Sequence, residues 1–199
     1  MARPLISAAA LRSWLLPVAL LVLMGLLQLL GWVEPLRYER VEVATGQWWR
    51  LLTANLVHLG WHHLLMNGLA LLLLWLLFGR QRSERQWGGV LLASTLGVTG
   101  GLWLLDPALQ WYVGLSGVLH GIFAAGVVGQ WREDRRLALL MGAALLLKIG
   151  WEQMTGGAAA TAAFVGGAVV VDAHLYGAVS GALAALLMQA VVRRGRRAG

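Results

Sequence analysis

Apolar runs separated by short, arginine-bearing connections recur six times along this chain, at about residues 13–33, 56–79, 87–105, 112–130, 137–151 and 168–192. A helix needs roughly 20 mostly apolar residues to cross the hydrocarbon of a bilayer. Each run therefore reads as a spanning helix, the fifth being short and extensible toward Met154. The Gly/Ala-rich stretch 156–168, with glycine pairs at Gly156-Gly157 and Gly166-Gly167, reads as a mobile outer loop; one helix running through it to 192 would greatly exceed the roughly 20 residues a span needs. Composition points the same way: 59% of the residues are hydrophobic and 13% charged, against roughly 45–50% and about 25% in soluble domains. Too little polar surface remains for a water-soluble enzyme, and too many apolar residues for a disordered chain. The expected fold is an all-α membrane protein, one domain over 1–199, with no internal repeat and no separate soluble part.

The chain has no cysteine, which excludes disulfide frameworks, thiolate metal sites and cysteine nucleophiles. A net charge of +7 would suit nucleic acid if the arginines were clustered, but they lie between apolar runs. There they report orientation. Arg3, Arg12, Arg80, Arg82, Arg85, Arg132, Arg135, Arg136, Arg193, Arg194, Arg196 and Arg197 fall on one side of a six-span topology, and only Arg37, Arg40, Arg50 and Lys148 on the other. This bias puts both termini in the cytoplasm. The lipid bilayer, not nucleic acid, is the expected surrounding. Tryptophans mark the run ends as an interfacial belt should: Trp14, Trp32, Trp87, Trp103, Trp111, Trp131 and Trp151. The first run is too long for a signal sequence and lacks a small-x-small cleavage site, so it reads as a retained anchor.

Polar side chains inside a span are costly, and each is a candidate for function. They are His58, His62, His63 and Asn67 in the second run, Ser116 and His120 in the fourth, and Asp172 and His174 in the sixth. All lie in the outer halves of helices running inward. At about 1.5 Å per residue, Ser116 and His174 sit roughly 6–9 Å below the outer boundary. Ser116 opens a helix within Gly114-Leu115-Ser116-Gly117, where amide donors favour a developing anion. Alone, that motif is weak, because most serines in spans bond to their own helix. His174 strengthens it: positions 174, 177 and 181 share a helix face. Gly177 and Gly181 form one small-xxx-small surface, and Gly117 and Gly121 another. Close packing of the two would bring imidazole to the hydroxyl, and an adjacent base activates a serine nucleophile. No carboxylate orienter is evident, since Asp172 lies on another face, so a Ser-His dyad is expected.

His63 and Asn67 are four apart on one face, and both can donate to an oxyanion. His58 and His62 make a second i, i+4 pair. Zinc needs the glutamate of H-E-x-x-H, which His58-Leu59-Gly60-Trp61-His62 lacks. No metal and no cofactor are expected.

Trp49-Arg50-Leu51-Leu52-Thr53, His58, and His63-Leu64-Leu65-Met66-Asn67 together resemble the first loop and second helix of the rhomboid intramembrane serine proteases. Gly114-Leu115-Ser116-Gly117 is similar to their nucleophile motif, and Ala173-His174 with Gly177 to their base motif. The resemblance covers about residues 48–190. It implies a six-helix rhomboid fold with Ser116 as nucleophile and His174 as general base. It further implies an oxyanion hole from His63, Asn67 and the Ser116 amide, and a structural part for His58. Rhomboids often carry tyrosine four positions after the serine, stacked on the histidine. His120 stands there instead, a variant similar to the rhombosortase branch, either stacking passively or joining proton transfer. That branch is associated with exported proteins ending in a Gly-Gly, apolar and basic tail. The implied setting is a bacterial inner membrane, and the implied partners are membrane-anchored proteins with a C-terminal transmembrane tail, cut at a site opening to the periplasm, with the acyl group passed to water or another acceptor. A catalytically inactive rhomboid-like chaperone would typically lack the serine or histidine, and a small transporter would carry polar groups along a whole pathway.

Overall fold

The computed structural model describes residues 13–198, with side chains through Arg194. Arg3 and Arg12 of the orientation argument lie outside the described residues, as do the side chains of Arg196 and Arg197. Ten α-helices occur among the described residues: α1 (Leu15–Leu29), α2 (Val33–Leu36), α3 (Arg40–Ala44), α4 (Arg50–Thr53), α5 (Trp61–Phe78), α6 (Glu84–Leu105), α7 (Ser116–Gln130), α8 (Arg135–Thr155), α9 (Ala159–Val165) and α10 (Val171–Ala198). Two short strands, β1 (Tyr38–Glu39) and β2 (Trp111–Tyr112), pair antiparallel, with Tyr38 opposite Tyr112.

All six expected runs are helical, but their lengths differ. Helices α5, α6, α8 and α10 contain segments long and apolar enough to cross a membrane. Helices α1 and α7 have 15 residues each, about 22 Å at 1.5 Å per residue. For α7 the reason is visible at its start. Residues before Ser116 are a strand and a loop buried against protein, where non-helical backbone at membrane depth is tolerated. Leucines such as Leu76, Leu104, Leu140, Leu147 and Leu187 are exposed on the outer faces. So many apolar side chains facing outward suit lipid rather than water.

The core forms where glycines let helices meet. Helix α10 packs most extensively on α7 and next on α6. A Cβ on Gly177 would overlap the Gly117 carbonyl oxygen, and one on Gly181 would overlap that of Gly121. The two small-xxx-small surfaces expected from the sequence thus face each other, backbone to backbone. Gly97 and Gly101 likewise make room for Ser180 and Tyr176 of α10.

Between α1 and α5 the chain folds into a compact cap on the end of the bundle where α7 begins. Its arginines are engaged in structure. Arg50, 8% exposed, donates to the carbonyls of Glu34 and Arg37 and to Gln47 Oε1. Arg40 donates to the carbonyls of Leu102, Trp103, Asp106 and Leu109, collecting acceptors that the end of α6 leaves unpaired. These cations on the sparser side of the chain are therefore held by carbonyls.

Three expectations need correction. Residues 156–168 are neither an open loop nor an extension of the last span. They contain α9, bounded by Gly156 (φ 75°) and Gly166 (φ 87°) in left-handed geometry, which ends a helix at low cost. His58 precedes α5, so His58 and His62 are not a helical i, i+4 pair. Trp87 is 1% exposed and donates to the Gly79 carbonyl at 3.0 Å. It is a core residue, not part of an interfacial belt.

Gly177→Val should cost about 1–3 kcal/mol through overpacking, measured by reversible unfolding in mixed micelles. Gly150 in α8 has open space around its Cα, so Gly150→Ala should instead stabilise by about 0.5–1 kcal/mol.

Candidate active site

The loop that delivers Ser116 is tied at two points, both on Gly114. Gly114 adopts φ 117°, a left-handed value suited to glycine, and turns the chain from β2 into α7. Its amide bonds to the Ala54 carbonyl at 3.0 Å, and its carbonyl accepts from the buried Tyr112 hydroxyl at 2.7 Å. Ser116 is then the first residue of α7, at the amide-rich end of the helix.

The close packing of α7 and α10 brings His174 Nε2 to 3.0 Å from Ser116 Oγ. His174 is 5% exposed. His120, one turn along α7 from Ser116, lies flat against His174, with ring centroids 4.1 Å apart and planes 16° from parallel. His120 Nδ1 donates to the Ser116 carbonyl at 2.8 Å, which holds the ring in that stack.

His63 and Asn67 are buried on the face of α5 that meets this loop. A Cβ on Gly114 would lie 2.8 Å from His63 Nε2 and 3.6 Å from Asn67 Nδ2. Both donors thus converge beside the start of α7. Asn67 Nδ2 is buried with no protein hydrogen-bond acceptor, so it is available to a ligand oxygen. His58 is fully buried and meets His63 edge-on, with centroids 5.0 Å apart. It packs the supporting side of His63. His62 is exposed and touches Phe164 of α9. Asp172 joins no part of this cluster.

The sequence offered no carboxylate for His174, and here the structure differs. Glu152 Oε2 lies 2.8 Å from His174 Nδ1, and Lys148 Nζ lies 2.5 Å from the other oxygen, Oε1. Glu152 sits just past the fifth apolar run, where it reads as a polar end. The available signal was its i, i+4 spacing from Lys148 near the outer end of that span.

His120, Glu152 and His174 lie close enough together to suggest a metal site. Their orientation argues otherwise. Lone pairs of two stacked imidazoles point along parallel planes and do not converge on one ion. Both His174 nitrogens and both Glu152 oxygens already have protein partners. The cluster is a hydrogen-bonded chain, opening onto a cavity of about 880 Å³ whose walls are mostly apolar and which also includes His63, Asn67 and Ser116.

A fold of packed apolar helices with a serine–histidine pair set into it defines a class of membrane protein, and the comparisons identify it. Residues 45–190 match the Rhomboid domain, and the chain belongs to the rhomboid family. It is 26% identical over 167 residues to the Bacillus subtilis protein named "Putative rhomboid protease YdcA", covering 78% of this chain and 75% of that one. It is 28% identical over 201 residues to the uncharacterized protein Rv1337 of Mycobacterium tuberculosis, covering 89% of this chain and 77% of that one. The uncharacterized protein ML1171 of Mycobacterium leprae is 26% identical over 201 residues.

A passive stacking role for His120 has a simple consequence. His120→Phe should keep Ser116 reactive toward a fluorophosphonate at close to the wild-type rate. His120→Ala, losing the ring contact, should slow labelling about 2- to 10-fold.

Proposed function

We propose that this protein is an intramembrane serine endopeptidase in which Ser116 is the nucleophile and His174 the general base. The observation that carries the reading is the 3.0 Å contact between Ser116 Oγ and His174 Nε2, inside an apolar bundle of the rhomboid family. As Oγ attacks a substrate carbonyl, its proton passes to Nε2 and the carbonyl electron pair moves onto oxygen. The Ser116 amide, His63 and Asn67 donate to that oxyanion, and His58 supports His63. The proton on Nε2 then goes to the leaving amine as the C–N bond breaks. The acyl-enzyme is released to water or to another acceptor.

The chain crosses a bacterial inner membrane six times, the shorter α1 and α7 included, with both termini cytoplasmic and the site open to the periplasm. Its substrates are the C-terminal membrane anchors of exported proteins, as in the rhombosortase branch that His120 suggests. Physical reasons favour a Gly-Gly start to such an anchor. A transmembrane helix must unwind before its carbonyl can be attacked, because its backbone groups are otherwise paired. Glycine lowers helix stability by roughly 1 kcal/mol per residue relative to alanine, so a Gly-Gly pair opens most easily.

Fluorophosphonate labelling and reporter cleavage test the chemistry together. Ser116→Ala and His174→Ala should each lose about 10³-fold or more in turnover, and turnover retained by Ser116→Ala would overturn the reading. His63→Ala and Asn67→Ala should each reduce kcat about 10²- to 10³-fold. On the substrate side, a reporter ending in Gly-Gly, an apolar helix and an arginine cluster should be processed. Its Leu-Leu counterpart should not be.

A further inference from the structure

The rhomboid resemblance implies a serine and a histidine, yet a third group stands behind the histidine here. We infer that Glu152 is the positioning residue for His174, making a Ser116–His174–Glu152 relay braced by Lys148. The inference rests on the proposed serine protease reading and deepens it.

Donor and acceptor chemistry fixes the sense of the chain. An ionised carboxylate can only accept a hydrogen bond, so at 2.8 Å from Glu152 Oε2 His174 Nδ1 must carry the hydrogen. Nε2 is then the bare nitrogen, and it is the one 3.0 Å from Ser116 Oγ. Without a partner on Nδ1 the ring is free to take the other tautomer, in which Nε2 bears hydrogen and cannot accept the serine proton. When Nε2 does take that proton, the ring becomes an imidazolium in a site with few water contacts. The carboxylate stabilises this cation without itself taking the proton.

Glu152 is built to stay in place. It is 7% exposed, and its second oxygen is held at 2.5 Å by Lys148 one turn earlier on α8, whose side chain is 47% exposed. A stabilising ion pair alone would gain nothing from this depth, because desolvation can offset the Coulomb attraction. Oε2 points inward to His174 Nδ1, on the side of the ring opposite the serine and 22 residues along the chain. Three helices, α7, α8 and α10, thus contribute one group each to a continuous line.

The test uses the full chain in proteoliposomes. Three quantities are read for Glu152→Gln, Glu152→Ala and the apolar pair Lys148→Met/Glu152→Leu: the second-order rate of fluorophosphonate inactivation, kcat and KM on the anchor reporter, and the thermal unfolding midpoint. The expected result is a fall of about 10²- to 10⁴-fold in both inactivation rate and kcat, with KM within about 2-fold. The apolar pair should remain folded, because well-packed apolar groups can replace a buried ion pair, and yet be as slow as Glu152→Ala. A downfield Nδ1 proton resonance present in wild type should disappear in Glu152→Ala. A folded Glu152 variant within about 3-fold of wild type in both rates would overturn the inference. So would an apolar pair that regains both stability and rate, which would reduce Glu152 to a structural ion. Ser116→Ala separates the two levels. If it is inert while Glu152→Gln is normal, only the relay fails; if it still cleaves, the protease reading fails.

Discussion

Direct contact between two helix backbones sets the geometry of everything else. At the crossing of α7 and α10 no side chain intervenes between Gly117 and Gly177, or between Gly121 and Gly181. In a bilayer, where lipid is as apolar as leucine, such close approach is a main source of helix association. It also has a geometric effect, because a methyl group at either crossing would drive the helices apart. Ser116 and His174 sit one residue and three residues from those glycines, so any separation there is transmitted to the hydroxyl–imidazole distance.

The elements around the crossing act as braces for it. Arg40 binds the end of α6 to the cap, Gly114 is pinned between Ala54 and Tyr112, and Thr99 of α6 donates to the Leu51 carbonyl at 2.7 Å. The polar groups of the cap are bonded mostly to carbonyls, which anchors irregular backbone at a depth where water is scarce. Rigidity on this side contrasts with the apolar walls of the cavity near α9. The paired glycines at 156–157 and 166–167 flank that short helix on both sides.

The apolar helices were legible in the sequence because length and apolarity alone mark them, although among the described residues only four of the six runs contain segments long and apolar enough to cross a membrane. That Ser116 meets His174, with His63 and Asn67 beside Gly114, was legible because polar groups stand out in an apolar run and the glycine spacing told which faces would meet. Legibility ended where a signal had two meanings. Glycines at 156–157 and 166–167 read as a loop, whereas they terminate a short helix between them. His58 and His62 have helical spacing, but the helix begins only at Trp61. Glu152 escaped notice because a charge at the end of a span ordinarily faces the interface, and its bond to His174 depends on how α8 and α10 pack. Pairings between helices are tertiary facts, and a one-dimensional pattern carries them only when, as with the glycines, both partners bear the same mark.

The order of the chain has a consequence for biosynthesis. Ser116 and His174 are 58 residues apart, Ser116 opening α7 and His174 lying on α10. A ribosome adding about 5–20 residues per second needs roughly 3–12 s to cover that interval. Throughout it, Ser116 has been made without His174 beside it. The contact between the two side chains therefore forms only after α10 has been made and packed on α7. A product ending before α10 would carry Ser116 but never that contact, so the order of the helices delays the pairing until both have been made.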